Sequence, residues 1–302
     1  MSLSAPRPKR LLVSGGRGRL AALVAGHFRA PDYDVALFSR ESGPGLQSLS
    51  DLPAPVTLAG ADAILHLAWS TLPATAEQAP AGAENADLVL LGQMLSALAA
   101  LPPGQRPHFV FFSSGGAIYG NAAAHPSRET DACHPIGRYG RAKLAAEEMI
   151  RAAMARDGLS ATILRISNPY GYPVPSGRVQ GIIPHAIRCA VEGATLTLWG
   201  DGHAQKDFLH YTDFLAALQQ VIARRLSGIF NLAAGESHSV HEILALVEQH
   251  TQRKVATQLT AAPAWDVQDS RLDPRQLVEA TGWRPQVTLS EGVRRSVADY
   301  RG

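Results

Sequence analysis

Apolar and polar positions alternate in blocks along the first half of the chain. Residues 10–14 form an apolar run that reads as a buried strand and ends in a glycine-rich turn. Residues 19–29 then read as a helix, 33–38 as a second strand and 63–67 as a third. Helices are expected over 85–101 and 139–156, and strands over 109–113 and 161–166. Near-continuous apolar strands separated by helices call for a parallel sheet covered on both faces. Ligands of such sheets bind beyond the carboxyl ends of the strands.

After Ser167 the rhythm changes. Pro169, Pro173, Pro175 and Pro184 interrupt the pattern. Short strands (195–199, 229–232) mix with helices (212–225, 240–249, 289–300). This half reads as a smaller lobe, from which residues 208–226 return to the first domain. The helix over 85–101 carries Leu88, Leu91, Leu95 and Leu98 on one face and Leu90, Met94, Ala97 and Leu101 on another. A helix apolar on two sides is covered on two sides. The helix over 139–156 adds the small residues Ala142, Ala145, Ala146, Ala152 and Ala153. A homodimer built on these two helices is the expectation.

Composition narrows the class. The 302 residues are 46% apolar, enough for a full core, and 18% charged, with a formal net charge of +2. The basic run Arg7-Pro8-Lys9-Arg10 reads as a solvated terminus, so nucleic acid is not an expected partner. Cys133 and Cys189 need no disulfide framework and fit a reducing compartment. No signal-peptide pattern is present, and the apolar stretch 86–101 carries Asp87 and Gln93 and is shorter than the ~20 residues that span a bilayer. A soluble cytoplasmic protein without membrane contact is expected.

The candidate chemistry begins at the first turn. Ser14-Gly15-Gly16-Arg17-Gly18-Arg19-Leu20-Ala21 links a strand to a helix start. Gly15 permits the tight turn, Gly18 lets the backbone approach a pyrophosphate at the helix N-terminus, and Ala21 allows close helix packing. The second strand ends in Ser39-Arg40, a hydroxyl and a cation where an NAD site usually has a carboxylate. NAD or NADP is therefore expected, with the lean toward NADP. The expected fold is α/β: a Rossmann-type doubly wound parallel sheet with a smaller C-terminal α/β substrate lobe. Residues 1–167 form the dinucleotide-binding domain and 168–302 most of the substrate lobe.

Tyr139 and Lys143 stand one turn apart at a helix start. An ammonium beside a phenol favours the phenolate, which makes Tyr139 a candidate general base. No cluster of His or Cys has metal-ligand spacing, so no metal is expected.

With these residues in place the chain resembles the NAD-dependent epimerase/dehydratase family, extended short-chain dehydrogenases of the UDP-galactose 4-epimerase kind. The resemblance rests on His66-Leu67-Ala68, Asn85, the run Ser113-Ser114-Gly115-Gly116-Ala117-Ile118-Tyr119-Gly120, and Tyr139-x-x-x-Lys143. It continues through Arg165-Ile166-Ser167-Asn168-Pro169-Tyr170-Gly171, Trp199-Gly200-Asp201-Gly202, Lys206-Asp207-Phe208-Leu209-His210 and Thr281-Gly282-Trp283-Arg284-Pro285. It implies that Gly15, Gly16, Arg17, Gly18, Arg19, Leu20, Ser39, Arg40, His66, Leu67, Ala68 and Ser113 line the dinucleotide. Tyr139, Lys143 and Ser114 would be catalytic, and Tyr119, Asn168 and Lys206 would meet a nucleotide-sugar substrate.

Three departures stand against a full carry-over. Gly115 occupies the place of the family's catalytic Ser or Thr. Ser114 takes that role only if the Gly115-Gly116 pair kinks the chain, since strand neighbours face opposite ways. No arginine precedes Asp266, where Ala261-Ala262-Pro263-Ala264-Trp265 stands. The stretch between Arg40 and Ala61 reads as loop, without the usual acid for the adenine. His66 and His210 read as structural, and Trp199, Trp265 and Trp283 as packing residues, with Trp265 also able to touch a base or sugar.

The implied activity is 4-epimerisation of a nucleotide sugar through a transient 4-keto sugar. An NADPH-dependent reductase is the alternative, and a non-catalytic dinucleotide sensor the third reading. A 4,6-dehydratase is disfavoured because Gly116, Ala117 and Ile118 leave no acid before the strand-end tyrosine.

Overall fold

The structure is a computed structural model and describes residues 7–80, 82, 84–122, 125–172 and 181–301. Pro173 and Pro175 lie outside the described residues. In chain order the elements are β1 (Lys9–Ser14), α1 (Arg19–His27), β2 (Tyr33–Ser39), β3 (Leu46–Ser48), α2 (Pro55–Leu58), β4 (Ala63–His66), α3 (Pro73–Ala76), α4 (Asn85–Ala100), β5 (His108–Ser114), α5 (Gly115–Ile118), α6 (Arg138–Asp157) and β6 (Ala161–Ile166). There follow β7 (Asn168–Tyr170), α7 (Ile182–Glu192), β8 (Leu196–Trp199), β9 (Gln205–His210), α8 (Tyr211–Arg224), β10 (Gly228–Leu232), β11 (Ser237–Ser239), α9 (Val240–Thr251), β12 (Thr257–Thr260), β13 (Asp269–Ser270), α10 (Arg275–Thr281) and α11 (Leu289–Arg301).

A seven-stranded sheet runs in the order β10-β6-β5-β4-β1-β2-β3. The pairs β1–β2, β1–β4, β2–β3 and β4–β5 are parallel. This is the expected Rossmann-type α/β sheet. Its winding direction reverses between β1 and β4, the position where such sheets open a ligand crevice. One correction concerns the segment after Arg40. It is not all loop: β3 adds an edge strand that sets Leu46 against Leu37 and Ser48 against Ser39. Three residues are too few to show an alternation that sequence could reveal.

Two compact units emerge from the chain. The first contains the described residues up to Ser113, with Arg141–Leu164 and Gln219–Ile229. Its core joins Leu12, Ile64, Phe109, Phe111, Ala161 and Ile163 of the sheet to Leu91, Met94, Leu95 and Leu98 of α4 and Ala146, Ile150 and Ala153 of α6. The strand residues between them, Leu11, Val13, Ala63, Leu65 and Val110, are equally buried. Both faces of the sheet are therefore covered, which is why its strands read as unbroken apolar runs. On α4, Leu88, Leu90 and Ala97 are half-buried against the same core, while Val89 is 58% exposed.

The second unit contains Ser114–Gly140, Arg165–Leu218 and the chain from Phe230 onward. Here β9 pairs with β7 and β13 in parallel and with β11 antiparallel. Strands β8 and β12 form a separate parallel pair. Helices α7, α9 and α11 pack Ile183, Ile187, Ile243, Val247, Val293 and Val297 against Leu196, Leu198 and Phe208. Asp207 is buried within β9 and accepts the backbone N–H groups of Ala234 (2.9 Å) and Gly235 (2.8 Å). Burial nevertheless pushes its carboxyl up to about 6. Among the described residues no helix is long and apolar enough to cross a membrane.

Helix α9 starts on a reciprocal cap. Ser239 Oγ accepts from Glu242 N (3.2 Å), and Glu242 Oε2 accepts from Ser239 N (2.7 Å). Both bonds satisfy N–H groups that the helix start leaves open. Ser239→Ala should lower the unfolding free energy by about 1 kcal/mol, read as a shifted midpoint in urea unfolding with unchanged slope.

Candidate active site

Within the first unit, the chain leaves β1 at Ser14 and turns at Gly15, whose φ of +77° is a left-handed conformation that suits glycine. A Cβ at Gly15 would lie 3.0 Å from the Ala68 nitrogen, so the turn presses against the end of β4. Gly18 N donates to the Gly15 carbonyl (2.7 Å), and Gly18 then serves as the N-cap of α1. No side chain caps this helix, and its first turn holds no acid. Its leading N–H groups thus fit a diphosphate, and Ala21 is buried where close packing was expected. Arg17 pairs with Glu41, and Glu41 N donates to Ser39 Oγ (3.3 Å). A carboxylate therefore does stand beyond the end of β2, two residues after Ser39, with Arg40 exposed between them.

At the end of β4, His66 is buried and its Nδ1 lies 2.9 Å from Ser14 Oγ, which also accepts the Ala68 N–H at 3.0 Å. Burial, aided by the Lys143 charge, pushes the imidazole down to about 3. His66 stacks near Phe109 and Phe111, with centroids 5.9 and 6.0 Å away. Its side chain is neutral scaffold, as its structural reading anticipated.

Lys143, on α6, is also buried. Its Nζ donates to the Phe112 carbonyl (2.8 Å) and sits 3.9 Å above the Trp69 ring centroid. Burial pulls the ammonium down to about 7, against the opposing pull of Asp87 and Glu147. Ser113 Oγ donates to Glu147 Oε1 at 2.5 Å. The Ser113 hydroxyl thereby ties the end of β5 to α6.

Within the second unit, β5 ends at Ser114, which caps the short helix α5. Ser114 shares a side-chain hydrogen bond with Tyr139, which lowers the phenol, but burial dominates and pushes Tyr139 up to about 12. Strand β5 stops at Ser114, and the Ser114 side chain turns to Tyr139. Gly115 has its own cause, since a Cβ there would lie 2.5 Å from Leu272 Cδ1 and 3.1 Å from the Arg165 carbonyl. Gly140 is similarly constrained, because a Cβ would lie 2.5 Å from the Ala117 carbonyl. The glycine after Tyr139 lets the start of α6 approach α5. Along α6, Tyr139 and Lys143 are one helical turn apart.

Other expected substrate contacts are committed elsewhere. Tyr119 is buried, donates to Asn231 Oδ1 (2.8 Å) and accepts from Arg165 Nη1 (2.8 Å). Both bonds tie the hydroxyl to the fold. Lys206 forms an ion pair with Asp266 (3.4 Å) and donates to the Val267 carbonyl. Its charge is paired with that of Asp266. Asn168 Nδ2 donates to the Asp207 carbonyl (2.8 Å), with the residue half-buried. His210 Nδ1 lies 2.7 Å from Thr212 Oγ1, as a structural histidine would. Trp283 is buried, but Trp199 is 44% exposed and meets Trp265 edge-to-face at 5.2 Å, so it is not a core residue.

Sequence reasoning missed Asp87, Glu147, Trp69 and Glu41. On α4 the motif residue Asn85 is exposed, while Asp87, two positions on, is the buried polar group. The signal was present: an acid inside an otherwise apolar helix.

The model of the NAD dependent epimerase/dehydratase family matches residues 11–233. A putative UDP-glucose 4-epimerase of Methanocaldococcus jannaschii is 24% identical over 300 residues, covering 95% of this chain and 97% of that one. The dTDP-6-deoxy-L-talose 4-dehydrogenase (NAD(P)(+)) of Kitasatospora kifunensis is 28% identical and covers 95% and 94%. Among solved structures, the UDP-glucose 4-epimerase of Thermotoga maritima with UDP-glucose superposes with a TM-score of 0.85 at 26% identity, over 97% of this chain and 98% of that one. The Thermus thermophilus UDP-glucose 4-epimerase in complex with NAD gives 0.84 at 26%, over 97% and 99%.

The contacts around Gly115 yield a test. Gly115→Ser forces Leu272 to move and should cost about 1–3 kcal/mol, measured as a lowered midpoint in chemical unfolding. An unchanged midpoint would show that the space beside Leu272 is slack.

Proposed function

We propose, since the chain belongs to the NAD dependent epimerase/dehydratase family, that it is an extended short-chain dehydrogenase-type enzyme that epimerises a nucleotide sugar at C4. The observation that carries this reading is the Ser114–Tyr139 hydrogen bond at the start of the helix that presents Lys143 one turn later. The turn at Gly15 and Gly18, the uncapped start of α1 and the Ala68 backbone would hold the dinucleotide. When bound, its nicotinamide supplies the acceptor, and later the donor, of one hydride.

The chain's own groups manage the proton. Tyr139 Oη takes it from the 4-hydroxyl of the sugar as the 4-keto sugar forms, and returns it when the hydroxyl is restored. Ser114 holds the phenolic oxygen in place. With its hydroxyl pushed up to about 12, Tyr139 is a poor base unless a positive charge stands near. The Lys143 ammonium is the charge that the helix supplies. Asn168 is the residue we assign to the substrate side, and Lys206 joins it only if Asp266 releases it.

Glu41 turns the cofactor reading toward NAD. It neutralises Arg17 and offers a carboxylate for ribose hydroxyls. The exposed Arg40 favours the second reading, an NADPH-dependent nucleotide-sugar reductase. We also read the chain as a homodimer that covers the open sides of α4 and α6. Light scattering of the full chain should return twice the monomer mass, and a monomer at all concentrations would remove that part.

Tyr139→Phe and the wild type form the central test. The variant should lose about 10²–10⁴-fold in kcat and release the same cofactor on denaturation. Near-stoichiometric NAD from both proteins, with activity in the wild type alone, fits the epimerase. Empty protein that binds NADPH over NADH moves the assignment to the reductase. Full activity in Tyr139→Phe overturns the base.

A further inference from the structure

Lys143 is the one lysine of four in the chain that is buried, with 4% of its surface exposed. An ammonium removed from water is costly unless matched by opposite charge and hydrogen bonds. The Phe112 carbonyl accepts from it at 2.8 Å, and the rings of Trp69 and Phe111 lie 3.9 and 4.7 Å from it. A carbonyl dipole and two ring faces do not cancel a full charge. Two acids from different helices stand close by: Asp87 of α4 is bonded to Ser70, next to the Trp69 that touches the ammonium, and Glu147 of α6 is bonded to Ser113, next to the Phe112 that accepts from it.

Both acids are themselves buried, with 7% and 0% of their surfaces exposed. Each is held as an acceptor. Asp87 Oδ2 takes the backbone N–H of Ser70 at 2.8 Å and the Ser70 hydroxyl at 2.5 Å. Glu147 Oε1 takes the Ser113 hydroxyl at 2.5 Å. Each carboxyl is thereby held in one place by a donor from a loop or strand end. Glu147 lies one turn beyond Lys143 on the same helix face, and Asp87 comes from a different element. Also beside the ammonium are His66 on β4, neutral at working pH, and the uncharged Trp69, Phe111 and Phe112. Tyr139 stands one turn earlier on α6. Two acidic side chains thus stand near one buried lysine. The exposed Lys254 has a single carboxylate, Glu248, and the partly exposed Lys206 has Asp266.

We propose that Asp87 and Glu147 are the counter-charges that keep Lys143 an ammonium in this dehydrated place, and that Asp87 is thereby a positioning residue for Tyr139. The second half rests on the epimerase reading of Tyr139 and Lys143; the first half does not. Asp87 is set on α4 so that its charge reaches α6. An amide at that position would fit the same space and keep one acceptor, but it would bring no charge.

The sign follows from burial. Lys143 is already pulled down to about 7, so the ammonium is lost as pH rises through that value. Removing an acid pulls it lower still. Each unit of further fall is a tenfold larger neutral-to-charged ratio at a fixed pH.

The test is lysine NMR with ¹³Cε labelling, on the full chain without cofactor. Four signals are expected, and Lys143→Arg identifies one of them. Asp87→Asn and Glu147→Gln should each lower the Lys143 midpoint by a unit or more. Asp87→Glu should bring it back toward the wild-type value. In turnover, Asp87→Asn should lower kcat at pH 7.5 about tenfold, leave KM for the sugar within about twofold, and move the alkaline limb of the pH profile down by the same interval as the NMR midpoint. A Lys143 midpoint that stays put in Asp87→Asn overturns the proposal whatever the activity. A midpoint that falls in Asp87→Asn, beside a wild type without epimerase activity, leaves the counter-charges standing and removes the functional reading alone. Should Asp87→Asn fail to fold, Glu147→Gln carries the test alone, and an unchanged Lys143 midpoint there overturns the proposal.

Discussion

One hydroxyl, that of Ser14, ties the ends of β1 and β4 at the point where the sheet reverses its winding. It accepts the Ala68 N–H and meets His66 Nδ1, so two loops that diverge above the sheet share a fixed root. Much of the proposed dinucleotide site inherits its position from this contact. Gly15 turns with its backbone against Ala68, and α1 then starts at Gly18 without a side-chain cap. The buried, neutral His66 completes the root, and a charged imidazole there would face the Lys143 ammonium across the same interior.

The end of β5 divides the proposed chemistry in a similar way. Ser113 and Ser114 are neighbours on a strand, and neighbours point apart. The first gives its hydroxyl to Glu147 and so belongs to the charged surroundings of Lys143. The second serves Tyr139. The glycines on either side of this arrangement are steric necessities: Gly115 because Leu272 fills its space, and Gly140 because the Ala117 carbonyl does. A Ser or Thr side chain at position 115 would press on this Leu272, and the hydroxyl that meets Tyr139 comes from Ser114.

The sheet strands were legible because burial on both faces makes them unbroken apolar runs, and the long helices because their periodicity spans several turns. The glycine loop and the Tyr139–Lys143 spacing were legible because the chemistry is local in sequence. What escaped is non-local or too short. Strand β3 has three residues, and β7, β11 and β13 have three, three and two. The bonds of Tyr119 with Asn231 and Arg165, and of Lys206 with Asp266, join residues far apart in the chain. Asp87 and Glu147 are 60 positions apart, and nothing in the chain announces that both face one ammonium. Glu41 was passed over because the turn that brings it to Arg17 is visible only in three dimensions.

The strand order also bears on how the chain is made. Strands β1 to β6 emerge in succession, yet the edge beside β6 is filled by β10, which follows only after much of the second unit has been synthesised. At roughly 5–20 residues per second, the nascent sheet waits several seconds with the β6 edge open. During that interval its unpaired backbone is a template for another strand. The step at which this protein is most exposed to misassembly on the ribosome is thus the arrival of the few residues from Gly228 to Leu232, long after the residues proposed for its chemistry have been translated.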